Sequence, residues 1–224
     1  MSHIILVPTS HIAEESLRTV ERVISRERPD CVAVELDINR FMALEQGESS
    51  SWHILRQLGP WTFAMFFVMK SMQSWLEKKS GIMPGSDMFK AVRVAEREGV
   101  HVEFIDRDIG VTLGRIGRIS WRERMRLVLF LVKGLTVDSL LARMGRKERV
   151  EIDFRKVPKK ELVRDMLRIM EKEFPGMYRV LVTERNLYMA RRLARLSHGY
   201  EKIVAVVGAA HASGIQELMG KKRI

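Results

Sequence analysis

The chain has 224 residues, is 46% hydrophobic and 30% charged, and carries a formal net charge of +11. That length buries a core without covalent staples, and the composition excludes a disordered, collagen-like or disulfide-built chain. One cysteine, Cys31, excludes an intramolecular disulfide and suits a reducing, cytoplasmic setting, and no apolar run reaches the roughly 20 residues of a membrane span.

His3 to Val7 reads as a strand, followed by an amphipathic helix over about 13–28 with Leu17, Val20 and Ile24 at helical spacing and Glu14 and Glu15 in the first turn. Pro29-Asp30 ends it. Cys31 to Leu36 is a second strand, apolar except for Glu35. This order predicts a right-handed unit with parallel strands. A turn at Pro84-Gly85-Ser86 starts a helix over Asp87 to Glu98, Gly99 stops it, and Val100 to Ile105 forms a third strand. A helix from about Glu184 to Leu196 leads into the last strand, Lys202 to Val207. Residues 49–83 and 112–180 read as helical inserts broken at Gly145, Pro158 and Pro175-Gly176. The expected fold is therefore α/β, a single domain over 1–224 with a mostly parallel central sheet flanked by helices.

Four polar residues fall at the expected carboxyl ends of these strands: His11, Glu35, Asp106 and His211. Each of the two histidines stands four residues past an apolar strand and before a helix. Ligands of open α/β sheets lie beyond that edge, so two imidazoles delivered there from opposite ends of the chain point to chemistry. Asp106 also fits a turn or helix-cap role. Glu35 interrupts an apolar run, and a buried carboxylate needs a cation, a donor or a metal. No zinc-protease, nucleophile-elbow or phosphate-loop motif is present; Gly110 to Gly117 lacks the Gly-Lys-Ser/Thr ending. His3, His53, His101 and His198 have no convergent setting.

Charge divides unevenly. Residues 1–112 hold 13 basic against 16 acidic residues, and 113–224 hold 26 against 12. Arg115, Arg118, Arg122, Arg124 and Arg126 alternate with apolar positions, the pattern of a helix surface rather than a basic arm. An anionic membrane surface fits this half; nothing besides charge points to nucleic acid, and none is expected.

Six motifs occur in one order. They are Thr9-Ser10-His11; Val34-Glu35-Leu36-Asp37 with Arg40; Pro84 to Met88; Ile105-Asp106-Arg107-Asp108 with Thr112-Leu113; Glu184-Arg185-Asn186-Leu187-Tyr188-Met189; and Val207-Gly208-Ala209-Ala210-His211. Together they resemble the TraB (pheromone-shutdown, PrgY-like) family, related to the Tiki metalloproteases and GumN-like proteins, over almost the whole chain. The second Gly-x-x-His motif of that family is intact; in the first, Pro8 stands where glycine is usual. The resemblance implies a sheet of the erythromycin-esterase/ChaN type. It also implies a metal-dependent hydrolase of peptidase type, with zinc, manganese or cobalt on His11, His211 and Glu35. Glu35 would be third ligand or general base, Arg185 would stabilise an oxyanion or hold Glu35, and Asn186 would orient the substrate. Arg40 and Asp106 would contact the substrate. The alternative is a protein that binds or sequesters a peptide or other ligand without turnover. Longer archaeal members continue into membrane helices, so membrane association and a homo-oligomer enter as further expectations. For Glu35 the expected partner is Arg185, then Arg40, and the inserts are expected to wall a groove floored by the two histidines.

Overall fold

The computed structural model describes residues 2–10, 14–46, 61, 85–132 and 160–220. Four strands form one parallel sheet: β1 (His3–Thr9), β2 (Cys31–Val34), β3 (His101–Phe104) and β4 (Lys202–Gly208). Their order is β1-β4-β2-β3, so the last strand slots between the first two. The register pairs Thr9 with Gly208 and Val34 with Val206.

Strand side chains alternate between faces, and both faces are covered, which is why the strands read as continuous apolar runs. Val7, Val32, Val34, Val204 and Val206 pack toward α1 (Glu14–Glu27) and α3 (Ser86–Arg97), through Val20, Ile24, Met88, Ala91 and Ala95. The short α2 (Ile38–Gln46) precedes α3 and adds Phe41 to this core. Cys31, Ala33, Ile203, Ala205 and Val207 pack on the other face. There they meet Met189, Ala190 and Leu193 of α8 (Glu184–Leu196) and Ile215 of α9 (Ala209–Gly220). The chain therefore leaves β1 and β2 toward one face and β4 toward the other. Neighbouring strands whose connections part in this way open a crevice at the carboxyl edge, and that edge is where the expected site residues lie.

A third apolar cluster sits beyond the sheet edge. It joins α4 (Ile109–Ile116) to α7 (Pro175–Tyr178) through Leu113, Ile116, Phe174, Met177 and Val180. Helices α5 (Trp121–Val132) and α6 (Lys160–Glu173) complete this region. Buried Glu123 of α5 accepts the backbone N–H groups of Gly176 and Met177 at 3.0 and 2.8 Å, capping the start of α7. A π-helical turn, Arg179–Thr183, links α7 to α8.

The structure moves several expected boundaries. β1 runs on to Thr9 and includes Pro8, which an edge strand tolerates because its missing N–H costs no ladder bond on the open side. β2 stops at Val34; Glu35 still donates its N–H to Val206 at 3.0 Å, and the chain then turns. The cap of α4 is Asp108, which accepts from Gly110 and Val111, and not Asp106. Of the two expected inserts, 112–132 and 160–180 are helix-rich, while 133–159 and all of 49–83 except Trp61 lie outside the described residues. Among the described residues no helix is long and apolar enough to cross a membrane.

Cys31 tests the integrity of this core. It is fully buried, and burial, then Glu103 and Asp30, push its thiol up to about 12. The native protein is expected to resist alkylation at neutral pH and to react fully once denaturant unfolds the sheet, as read by mass spectrometry.

Candidate active site

Three strand ends and the first turns of two helices meet at the carboxyl edge. Arg185, in the first turn of α8, donates Nε–H to Asp106 Oδ1 at 3.1 Å and one Nη2–H to Asp106 Oδ2 at 2.7 Å. The other Nη2–H goes to Glu35. On Nη1, one hydrogen reaches the Leu181 carbonyl at 3.4 Å and the other faces His211 Nε2 at 3.1 Å. All five guanidinium N–H bonds are thus directed at protein acceptors. Burial works against the charged guanidinium, but Glu35 and Asp106 outweigh it and hold its pKa above the ordinary value. The pairing expected for Glu35 is present, and its second oxygen accepts the Gly208 N–H at 2.6 Å.

His211 stands in the first turn of α9 and is buried. Its Nδ1 lies 2.6 Å from Asn186 Oδ1, and its Nε2 lies 3.2 Å from Glu35 Oε1. An amide oxygen only accepts, so Nδ1 carries the proton, and in the neutral ring Nε2 presents a lone pair to Arg185. This proton assignment follows from the network. Asn186 therefore fixes the ring's tautomer and orientation. Space for it comes from Gly214: a Cβ there would overlap the Asn186 amide nitrogen.

A second buried arginine braces the first. Arg107 donates to Thr112 Oγ1 at 2.9 Å, Glu184 Oε2 at 2.8 Å and the Val180 carbonyl at 2.6 Å. Arg115 shares Glu184 at 2.6 Å. Burial alone would raise the Glu184 carboxyl, but the hydrogen bonds from Arg107 and Arg115 hold it below its usual range. These bonds tie the loop after β3 to the π turn that aims Arg185. Such turns recur at functional sites because they shift a helix face by one residue.

Above the cluster opens a cavity of about 650 Å³. Thr9, Ser10, Glu35, Asp106, Arg185 and His211 line its sheet end, and Leu113, Ile116, Met166, Leu167, Met170 and Phe174 line its helical side. Arg40 also lines it. The Ser10 hydroxyl is buried and has no hydrogen-bond partner among the described residues. The first turn of α9, Ala209 and Ala210, borders the same space, and first-turn N–H groups have no carbonyl partner within the helix.

Of the expected site residues, Glu35, Asp106, Arg185, Asn186 and His211 converge, and Arg40 reaches the cavity; His11 lies outside the described residues. Asp106 accepts from Arg185 and from the Arg107 backbone N–H, and Asn186 holds His211. Sequence reasoning missed Gly208, Gly214, Ser10 and Arg107. Ser10, Arg107 and Gly208 stood inside the motifs without a role of their own, Arg107 as a cation between two aspartates at a strand end, and Gly214 carried no signal.

Of the expected metal set only Glu35 and His211 are described, since His11 lies outside the described residues, and these two with Asp106 do not by themselves fit a divalent ion. Glu35, Asp106 and His211 converge on the Arg185 guanidinium, which already supplies positive charge at their centre, and a second cation beside it would be repelled. Among the described residues no cluster of three metal-ligating side chains offers another place. No step below is therefore routed through a metal.

The sequence profile of the TraB/PrgY/gumN family matches residues 2–223, and the chain belongs to that family. An uncharacterized protein of Methanocaldococcus jannaschii is 34% identical over 97% of this chain and 53% of its own length. TraB domain-containing proteins of Homo sapiens and Bos taurus are each 27% identical over 96% of the chain and 62% of their length. The chain thus spans between about half and three fifths of these relatives.

Two substitutions test the packing and charge balance of the site, and a third serves as a control. Gly214→Ala is expected to cost about 1–3 kcal/mol in urea unfolding, by overpacking against Asn186. Gly220→Ala, whose Cβ meets nothing within 4 Å, should be neutral or stabilising. Arg185→Met should cost about 3–5 kcal/mol, because it leaves two buried carboxylates without their cation.

Proposed function

We propose that this TraB domain is a hydrolase of peptidase type whose acid–base pair is His211 and Glu35. The observation that carries the reading is the 2.6 Å contact between Asn186 and His211 Nδ1, which turns Nε2 toward Glu35 at the floor of a large cavity. A base oriented through its far nitrogen by a fixed acceptor is the arrangement general-base chemistry requires.

A carbonyl substrate enters with its apolar part against the helical wall. His211 Nε2 takes a proton from a water that attacks the carbonyl carbon. Protonation puts an N–H where the Nε2 lone pair had faced Arg185, so the Arg185 Nη1–H gives way and Glu35 Oε1, 3.2 Å from Nε2, stabilises the charge that develops. The other four N–H bonds of Arg185 stay on Glu35, Asp106 and the Leu181 carbonyl, so its role is to keep Glu35 ionised and placed. The oxyanion is left to the first-turn N–H groups at Ala209 and Ala210 and to the unpartnered Ser10 hydroxyl. The imidazolium then returns its proton to the leaving amine.

Sequestration without turnover is the second reading. It is favoured by the guanidinium being wholly spent on protein acceptors, and it uses the same cavity.

Chelator-treated protein, incubated with fluorogenic peptides carrying aliphatic residues, tests both. Slow hydrolysis is expected, reduced about 10²- to 10⁴-fold in His211→Ala and Glu35→Gln variants that keep the native circular dichroism. Unchanged turnover in His211→Ala would remove the base. Turnover seen only with added zinc, manganese or cobalt would replace the metal-free mechanism. Peptide bound but never cleaved would make the domain a sequestering protein.

A further inference from the structure

We infer that the cavity recognises the free carboxylate at the apolar C-terminus of a peptide, and that Arg40 is the residue that reads it. The inference rests on the hydrolase reading for what happens next, but its own content is binding.

Among the described residues five charged or titratable side chains line the cavity: Glu35, Arg40, Asp106, Arg185 and His211. Four of them are bound to one another, through Arg185 on Glu35, Asp106 and His211. Arg40 differs. Its backbone N–H is held by Asp37 Oδ1 at 3.0 Å, which anchors the residue in the first turn of α2. Its guanidinium has no hydrogen bond or ion pair among the described residues, although it borders a largely apolar space. The carboxyl nearest to it in the chain, Asp37, is buried and accepts the Arg40 backbone N–H; burial pushes its pKa upward, and Arg40 opposes that in part. A guanidinium presents paired donors that match a carboxylate. An ammonium group would be repelled there, and a neutral amide would leave the charge unmatched.

The opposite wall sets what stands beside that carboxylate. Leu113, Ile116, Val163, Met166, Leu167 and Met170 offer aliphatic and thioether surface without a polar atom to satisfy. Thioether side chains adapt to irregular aliphatic shapes. A chain end with Leu-, Val- or Met-like side chains and a free terminal carboxylate meets both demands, and it alone brings the peptide carbonyl that the hydrolase reading needs. Glu35 precedes Arg40 by five residues, with Leu36, Asp37 and the start of α2 between them. Arg40 and the Glu35–His211 floor line one and the same cavity, so a ligand whose carboxylate is held by Arg40 lies in the space above that floor.

Isothermal titration of the whole chain with acetyl-Leu-Leu-Val as free acid and as C-terminal amide reads the inference. The free acid should bind at least 10-fold more tightly than the amide, and 1 M salt should narrow the gap. Arg40→Gln should abolish the preference while amide binding persists, and Arg40→Lys should restore part of it. Shortening the terminal side chain should weaken binding about 3- to 4-fold per methylene. Equal affinity for acid and amide, or a preference that survives Arg40→Gln, would overturn the assignment. Octanoate binding as tightly as the peptide acid would overturn the peptide part and assign a fatty acid instead. Binding is read without turnover, so a hydrolase that ignores the C-terminus defeats this inference alone, and a selective binder that never cleaves defeats the hydrolase reading alone.

Discussion

One part-buried cation organises this molecule. Arg185 comes from a helix, Glu35 and Asp106 from the ends of different strands, and His211 from the helix that follows the last strand. Removing that many charges from water is expensive, and the cost is met only if every lone pair and proton has a partner. The geometry meets it: five N–H donors are matched to two carboxylates, one imidazole and one carbonyl, and Glu35 takes a backbone N–H besides. The sheet order makes this possible. By placing β4 between β1 and β2, it brings residues 35, 106 and 208–211 to neighbouring strand ends although the chain between them is long.

The same constraint divides labour within the site. A guanidinium with no spare donor anchors rather than catalyses. What it anchors is a carboxylate beside an imidazole whose tautomer a third residue, Asn186, has fixed. Arg107 and Glu184 do for the π turn what Arg185 does for the floor, so the helix that delivers Arg185 and Asn186 is held from behind. The cavity above is asymmetric, polar where the strands end and aliphatic where α4 and α6 face them.

Much of this was legible in the sequence, because strand interiors here are aliphatic and each polar residue marks the point where a strand leaves the core. That logic found Glu35, Asp106 and His211, and the family motifs supplied Arg185, Asn186 and Arg40. It assigned Asp106 a possible cap that belongs to Asp108, because two aspartates flank Arg107 and spacing cannot choose between them. It could not see Gly214, which matters only through the close approach of α8 and α9, a distance no local pattern encodes. Nor could it see that Arg185 is saturated, since donor counting needs geometry. The metal set drawn from the family meets the same difficulty: Glu35 and His211 are adjacent, but a cation of the protein's own already stands between them and Asp106.

The central claim is that Asn186 holds His211 with its proton on Nδ1 and a lone pair on Nε2, facing Glu35 and Arg185. Nitrogen-15 NMR of histidine-labelled protein, with His211 assigned by its loss in His211→Gln, tests this directly. At neutral pH the Nδ1–H tautomer should dominate for His211, and Asn186→Ala should return it to a mixture. A dominant Nε2–H tautomer in the wild-type protein, unchanged in Asn186→Ala, would contradict the account.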